Sequence, residues 1–133
     1  MSLDRALAEI MKNVPECLAS GWVDMNTGML LGVKTVDSHP QEVLDLVAAA
    51  TTDIFQGPNV VAIEQMFKKG RGVTTGEHYF REIIVMSQNL IHVFMRGKKK
   101  EDQVLVVVTR VSANLGMVLT KSRASLGAVE LAG

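Results

Sequence analysis

The run Val104-Leu105-Val106-Val107-Val108 constrains this chain most. Five apolar residues stand in succession, four of them β-branched, with no polar alternation. A strand with one wet face alternates apolar and polar side chains, because its residues point to opposite faces in turn. A strand without alternation is covered on both faces. The chain must therefore place a sheet in its middle and helices on either side.

The neighbouring residues supply that sheet. Strands are predicted over Phe80–Ser87, Leu90–Arg96 and Gln103–Thr109. In the first, Phe80, Glu82, Ile84 and Met86 face one way, and Arg81, Ile83, Val85 and Ser87 the other. Its charges at one end suit an edge strand. Gln88-Asn89 forms a turn, and the polar run Gly97 to Asp102 an exposed one. A last helix is predicted from near Ser112, its expected N-cap. Leu115, Val118, Leu119 and Ser122 share a face, which Leu126 and Val129 extend, with fraying expected after Ala128.

The first half adds two helices and a hairpin. Leu3, Ala6, Leu7, Ile10, Met11 and Val14 form one apolar stripe, so a helix is predicted over 3–13, capped by Ser2 or Asp4 and ended by Pro15. A hairpin follows, with arms Leu18–Asp24 and Met29–Val36 around Asp24-Met25-Asn26-Thr27-Gly28. Asn and Gly suit positive φ there, and the turn is long enough to expect a bulge. Met25 and Met29 are expected at an exposed, adaptable turn.

Ser38-His39-Pro40-Gln41 is a capping box with proline in the first turn, so the second helix is predicted from about His39 to Gln56. It carries two apolar stripes. Val43, Leu46, Val47, Ala50 and Ile54 make one. Leu44, Ala48, Thr51 and Phe55 make the other. One stripe suffices to lie on a sheet, and two imply burial on two sides. Either the helix is central within its own chain, or the Leu44–Phe55 stripe meets a second chain, where small Ala48 and Thr51 permit close approach. Gly57-Pro58 interrupts the helix. Residues 59–69 read as a short further helix or a kinked continuation, ahead of a loop with Gly70, Gly72 and Gly76.

Other function classes lack support. With 14 basic and 14 acidic residues among 133, no broad positive field exists to attract nucleic acid or an anionic membrane. Cys17 is the one cysteine, which excludes a disulfide within the chain and a Cys-rich zinc site. It reads as a small apolar filler, and the expected setting is reducing and cytoplasmic. No run of about 20 apolar residues exists, so no membrane insertion is expected.

His39, His78 and His92 have no metal-ligand spacing. His92 reads as a packing residue on a strand, and Gly70-x-Gly72 as a connector without the setting of a phosphate loop. Lys98–Lys100, followed by Glu101 and Asp102, reads as a solvated turn. No catalytic residue, metal or cofactor is expected.

Three stretches together resemble the roadblock/LC7 family. One is Gly21-Trp22-Val23-Asp24-Met25-Asn26-Thr27-Gly28-Met29-Leu30-Leu31, similar to the family's opening hairpin. Another is Leu105-Val106-Val107-Val108 leading to Asn114-Leu115-Gly116, similar to its last strand and helix. The third is the long second helix between hairpin and meander. The resemblance implies an α+β domain spanning 1–133, in the order α-β-β-α-β-β-β-α, with an antiparallel five-stranded sheet and helices on both faces. Longin and profilin-like domains share this order. The segment at about 57–76 departs from the compact pattern, near the face where partners would dock.

The resemblance further implies a non-enzymatic homodimer, formed by helix 2 against helix 2 and by edge strand against edge strand. Candidate interface residues are Leu44, Ala48, Thr51 and Phe55 on the helix, and Phe80, Glu82, Ile84 and Met86 on the edge. Family members act as adaptors, dynein-associated light chains, scaffolds or regulators of small Ras-like GTPases, and bacterial dimers stimulate GTP hydrolysis. Arg71 and Arg81 are the arginines left by elimination for such a role. The alternatives are a small-molecule sensor with a pocket lined by Met and Phe, and an enzyme that converges His92 with Glu82 or His78.

Overall fold

The computed structural model describes residues 2–37, 41–71, 78 and 80–133, with the backbone alone for 41–44. The element order is α1 (Leu3–Asn13), β1 (Cys17–Asp24), β2 (Met29–Thr35), α2 (Gln41–Gln56), α3 (Pro58–Arg71), β3 (Glu82–Met86), β4 (Leu90–Arg96), β5 (Gln103–Arg110) and α4 (Leu115–Ala132).

The strands form one five-stranded sheet in the order β2-β1-β5-β4-β3, with every neighbouring pair antiparallel. The apolar run sits on β5, the central strand, where Val104, Leu105, Val106 and Val107 are buried. One face meets α1 and α4. There Trp22, Ile91, Val93, Met95, Leu105 and Val107 pack with Ala6, Leu7, Ile10, Val118, Leu126 and Val129. The other face meets α2, where Val23, Met25, Phe94, Val104 and Val106 pack with Ala48 and Phe55. The double coverage expected of Val104–Val108 is what the fold provides.

Local chemistry sets the ends of the elements. Ser2 Oγ caps α1 by accepting the Arg5 N–H at 3.2 Å. In the β1–β2 turn Gly28 has φ of +70°, a conformation that glycine adopts without a Cβ penalty. Its N–H donates to the Asp24 carbonyl at 2.9 Å. A bulge follows in β2. Trp22 pairs with Gly32 and Val23 with Leu30, which leaves Leu31 as the extra residue. Val36 lies just past β2, and the capping box at 38–40 lies outside the described residues.

The break between α2 and α3 is one residue wide. The Gly57 N–H donates to Asp53 O at 3.1 Å, and the Gly57 carbonyl accepts from the Val61 N–H at 3.0 Å. The helical bonding therefore runs through Gly57, and Pro58 supplies the missing donor and the kink. Of the two expected readings, this is the kinked continuation.

Several expectations are corrected. The cap of α4 is Asn114, whose Oδ1 accepts the Met117 N–H at 3.0 Å. Ser112 instead donates to Glu16 Oε1 at 2.7 Å. The helix does not fray after Ala128, because Val129 is wholly buried and the Glu130 carboxylate accepts the backbone N–H of Lys99 at 2.5 Å and of Lys100 at 2.6 Å. The first meander strand is shorter than 80–87, since the Phe80 carbonyl is taken by the Arg96 side chain. Met25 is buried, and Met29 alone of the turn methionines is exposed.

Candidate interaction surface

Helix α2 has an inner and an outer stripe, and the structure decides which is which. Ala48, Thr51 and Phe55 are 0% exposed and face the sheet of their own chain. The Thr51 hydroxyl donates back to Val47 O at 2.9 Å, which satisfies it without a partner chain. The Phe55 ring meets Phe94 edge-on at 6.5 Å between centroids. The sequence-based assignment of this stripe to a second chain is therefore corrected. The side chain of Leu44 lies outside the described residues. Leu46 is 66% exposed, and Val47, Ala49 and Ala50 are also exposed. Of the stripe expected to lie on the sheet, Leu46 and Ala50 face outward, Val47 borders a hollow on the sheet side, and Ile54 packs against the core.

Strand β3 is the free edge beside β4, as the resemblance implied. Ile83 packs into the α2-side core. Ile84, Val85 and Met86 are exposed. Glu82, on the α4 side, binds Arg123 through both oxygens at 2.9 and 2.7 Å. That arginine holds the Glu82 carboxyl below the usual carboxylate range, against a smaller opposing effect of burial. Phe80 is half-buried just ahead of the strand.

Helix α3 carries further exposed apolar residues. Val61, Ile63, Met66 and Phe67 are exposed, while Glu64 is its one buried residue among those described. Glu64 Oε1 lies 3.7 Å from His78 Nδ1, and Oε2 faces the Phe80 N–H. Arg96 is buried beneath this junction, its guanidinium 5.0 Å from the centre of the Phe55 ring. Burial draws its pKa down, and the carboxylates of Glu64 and Glu101 work against that. Periodicity could not have found Glu64 or Arg96, since charged residues are normally exposed. The nearest signal was a lone acidic residue in the apolar spacing of 60–67.

The residues considered for chemistry do not converge. His92 is half-buried on β4 opposite Val85 and Val108, with its pKa lowered by burial. Glu82 lies on the opposite face of the sheet, against α4. His78 contacts Glu64 instead. Arg81 is engaged with Glu101 at 2.8 Å. No group of three His, Cys, Asp or Glu able to hold a metal occurs among the described residues. No helix among them is long and apolar enough to cross a membrane.

A hollow of about 420 Å³ opens on the α2 side, near the start of that helix. Leu18, Leu30, Val33, Val47, Val106 and Val108 line it, and Asp37 and Arg110 also border it. Its described lining is chiefly aliphatic with a few polar groups and contains no Met or Phe, unlike the pocket expected for a sensor.

No protein-family model matches the sequence, and a search of curated proteins gave no match. Solved structures do match. MglB from Myxococcus xanthus superposes with a TM-score of 0.72 at 15% identity, covering 97% of this chain and 93% of that one. The gliding protein MglB from Thermus thermophilus gives 0.70 at 20% identity, with 96% and 85% covered. A roadblock/LC7 domain from Streptomyces avermitilis gives 0.71 at 14% identity, with 98% and 97% covered. The chain has the roadblock/LC7 fold.

Proposed function

We propose that this chain is a non-enzymatic regulatory module that pairs with a second copy of itself and binds a protein partner, a small Ras-like GTPase. The observation that carries the reading is apolar surface left uncovered on two elements of the single chain, the outer side of α2 and the free edge strand β3. Leu46 and Val47 of α2 and Ile84, Val85 and Met86 of β3 are all exposed. A free strand edge with apolar side chains exposed on both faces offers unpaired backbone groups to a second strand. The roadblock/LC7 fold supports the choice of partners, because the family resemblance implies helix-2 and edge-strand pairing and GTPase regulation.

Solution mass tests the first half. A dimer at micromolar concentration is expected, weakened at least tenfold by Leu46→Glu or Ile84→Lys. A strict monomer, or a dimer indifferent to both changes, overturns it. Retention of the Ras-like GTPase encoded nearest to this chain, in at least one nucleotide state, tests the second half. Failure in both states removes it.

A second reading, binding of a small apolar molecule, is favoured by the aliphatic hollow beneath α2. A saturable rise in melting temperature with short-chain fatty acids supports it. No shift at millimolar concentration disposes of it.

A further inference from the structure

Phe80 stands just ahead of the edge strand, and its backbone is held from two sides. Its N–H faces Glu64 Oε2 of α3 at 3.4 Å. Its carbonyl accepts from Arg96 Nε of β4 at 3.0 Å. One residue on, the Arg81 carbonyl accepts the Arg96 backbone N–H at 2.8 Å, at the start of the β3–β4 pairing.

Both charged residues are buried, Glu64 to 3% and Arg96 to 2% exposure. Charges in an apolar layer persist where opposite charge and hydrogen bonds compensate them. Arg96 Nη1 donates to Glu101 O at 3.0 Å, and its Nη2 has no hydrogen-bond partner among the described residues. Within that described part, Arg96 keeps one uncommitted donor group inside the protein, in the attractive field of Glu64. A neutral side chain would fill this space without leaving a donor unmet. The two charged residues together do what an apolar residue cannot, which is to hold a backbone N–H and a backbone carbonyl of one residue.

The attachment of α3 has the same origin. The helix turns Ile63, Met66 and Phe67 toward solvent and its acidic residue inward. Among the described residues, Glu64 is the one that ties it to the start of β3.

We propose that Glu64 and Arg96 are positioning residues that clasp Phe80, set the edge strand β3 for pairing, and tie its placement to α3. The proposal rests on β3 being the edge that pairs with a second copy. Whatever engages the apolar side of α3 then acts on that edge through Glu64.

Hydrogen exchange on the full chain tests it, with Glu64→Leu, Arg96→Met and the double variant. The double variant removes both buried charges together and keeps the protein folded where a single change does not. Amides of 82–86 are expected to exchange at least tenfold faster in the double variant, with β5 amides unchanged, and any dimer to weaken at least tenfold by solution mass. Unchanged protection of 82–86 relative to β5 in the folded double variant overturns the clasp. If the unmodified chain is itself monomeric, the dimer reading fails, and the exchange result still decides the clasp.

Discussion

Glu130 Oε2 lies 2.6 Å from the backbone nitrogen of Lys100 and joins the last turn of α4 to the β4–β5 hairpin. The same oxygen accepts from Lys99 at 2.5 Å. Burial would raise this carboxyl's pKa, but the hydrogen bonds from Lys100, Lys99 and Lys98 outweigh it and leave it lowered. A lowered folded value stabilises the protein above the ordinary carboxylate pKa of about 4.3 and is lost as pH falls through the folded value. Glu130→Gln should therefore cost about 1.5–3 kcal/mol at pH 7. The gap to the unmodified protein should close on acidification. Urea midpoints at pH 7, 5 and 3 measure this, and a gap independent of pH contradicts it.

The two stripes of α2 predict opposite phenotypes. Phe55→Ala empties a wholly buried site against Phe94 and should cost about 3–5 kcal/mol of stability. Leu46→Glu alters a site exposed in the single chain and should change the stability of the monomer, measured at concentrations where any dimer is dissociated, by no more than about 0.5 kcal/mol. Denaturant unfolding separates them. Comparable losses at both positions would mean the inner and outer faces are wrongly assigned.

Gly57 offers a test by sign. Glycine to alanine within helical structure usually stabilises by about 1 kcal/mol. Here a Cβ would meet the Asp53 carbonyl at 2.6 Å, a contact with backbone that cannot rotate away. Gly57→Ala should destabilise by about 1–3 kcal/mol. A stabilised variant would show that the chain relaxes freely at the kink.

Cys17 should be chemically quiet. Burial pushes its thiol up to about 11, against a smaller lowering by a backbone hydrogen bond from Ala19. The thiolate is the reactive form, so at pH 8 the folded protein should react with a disulfide reagent at least tenfold more slowly than in urea. Rapid labelling in the native state would contradict the burial.

The parts legible in the sequence are those with strong periodicity and local punctuation. Val104–Val108 announced a central strand, and the stripe from Leu3 to Val14 gave α1 its bounds. Pro15 marked a true end, and Gly57-Pro58 a kink through which the helical bonding continues. Helix α2 was harder, because two apolar stripes side by side do not say which one meets the sheet. Small Ala48 and Thr51 suited a partner chain and suited the sheet equally well, and the sheet takes them. The end of α4 was missed because its anchor, Glu130, is held by amides about 30 positions away. Glu64 and Arg96 were missed for the same reason: a buried charge depends on partners that no local pattern reveals.

The bulge at Leu31 makes the two rims of the sheet unequal. A regular rim is a template on which another strand can be laid, and an irregular one is a poor template. If β3 joins to its own copy about a two-fold axis, each new outer rim is a β2 with the bulge. The ribbon then has nowhere to grow. In that arrangement one extra residue in a hairpin would stop growth at two copies and would disfavour an endless fibre.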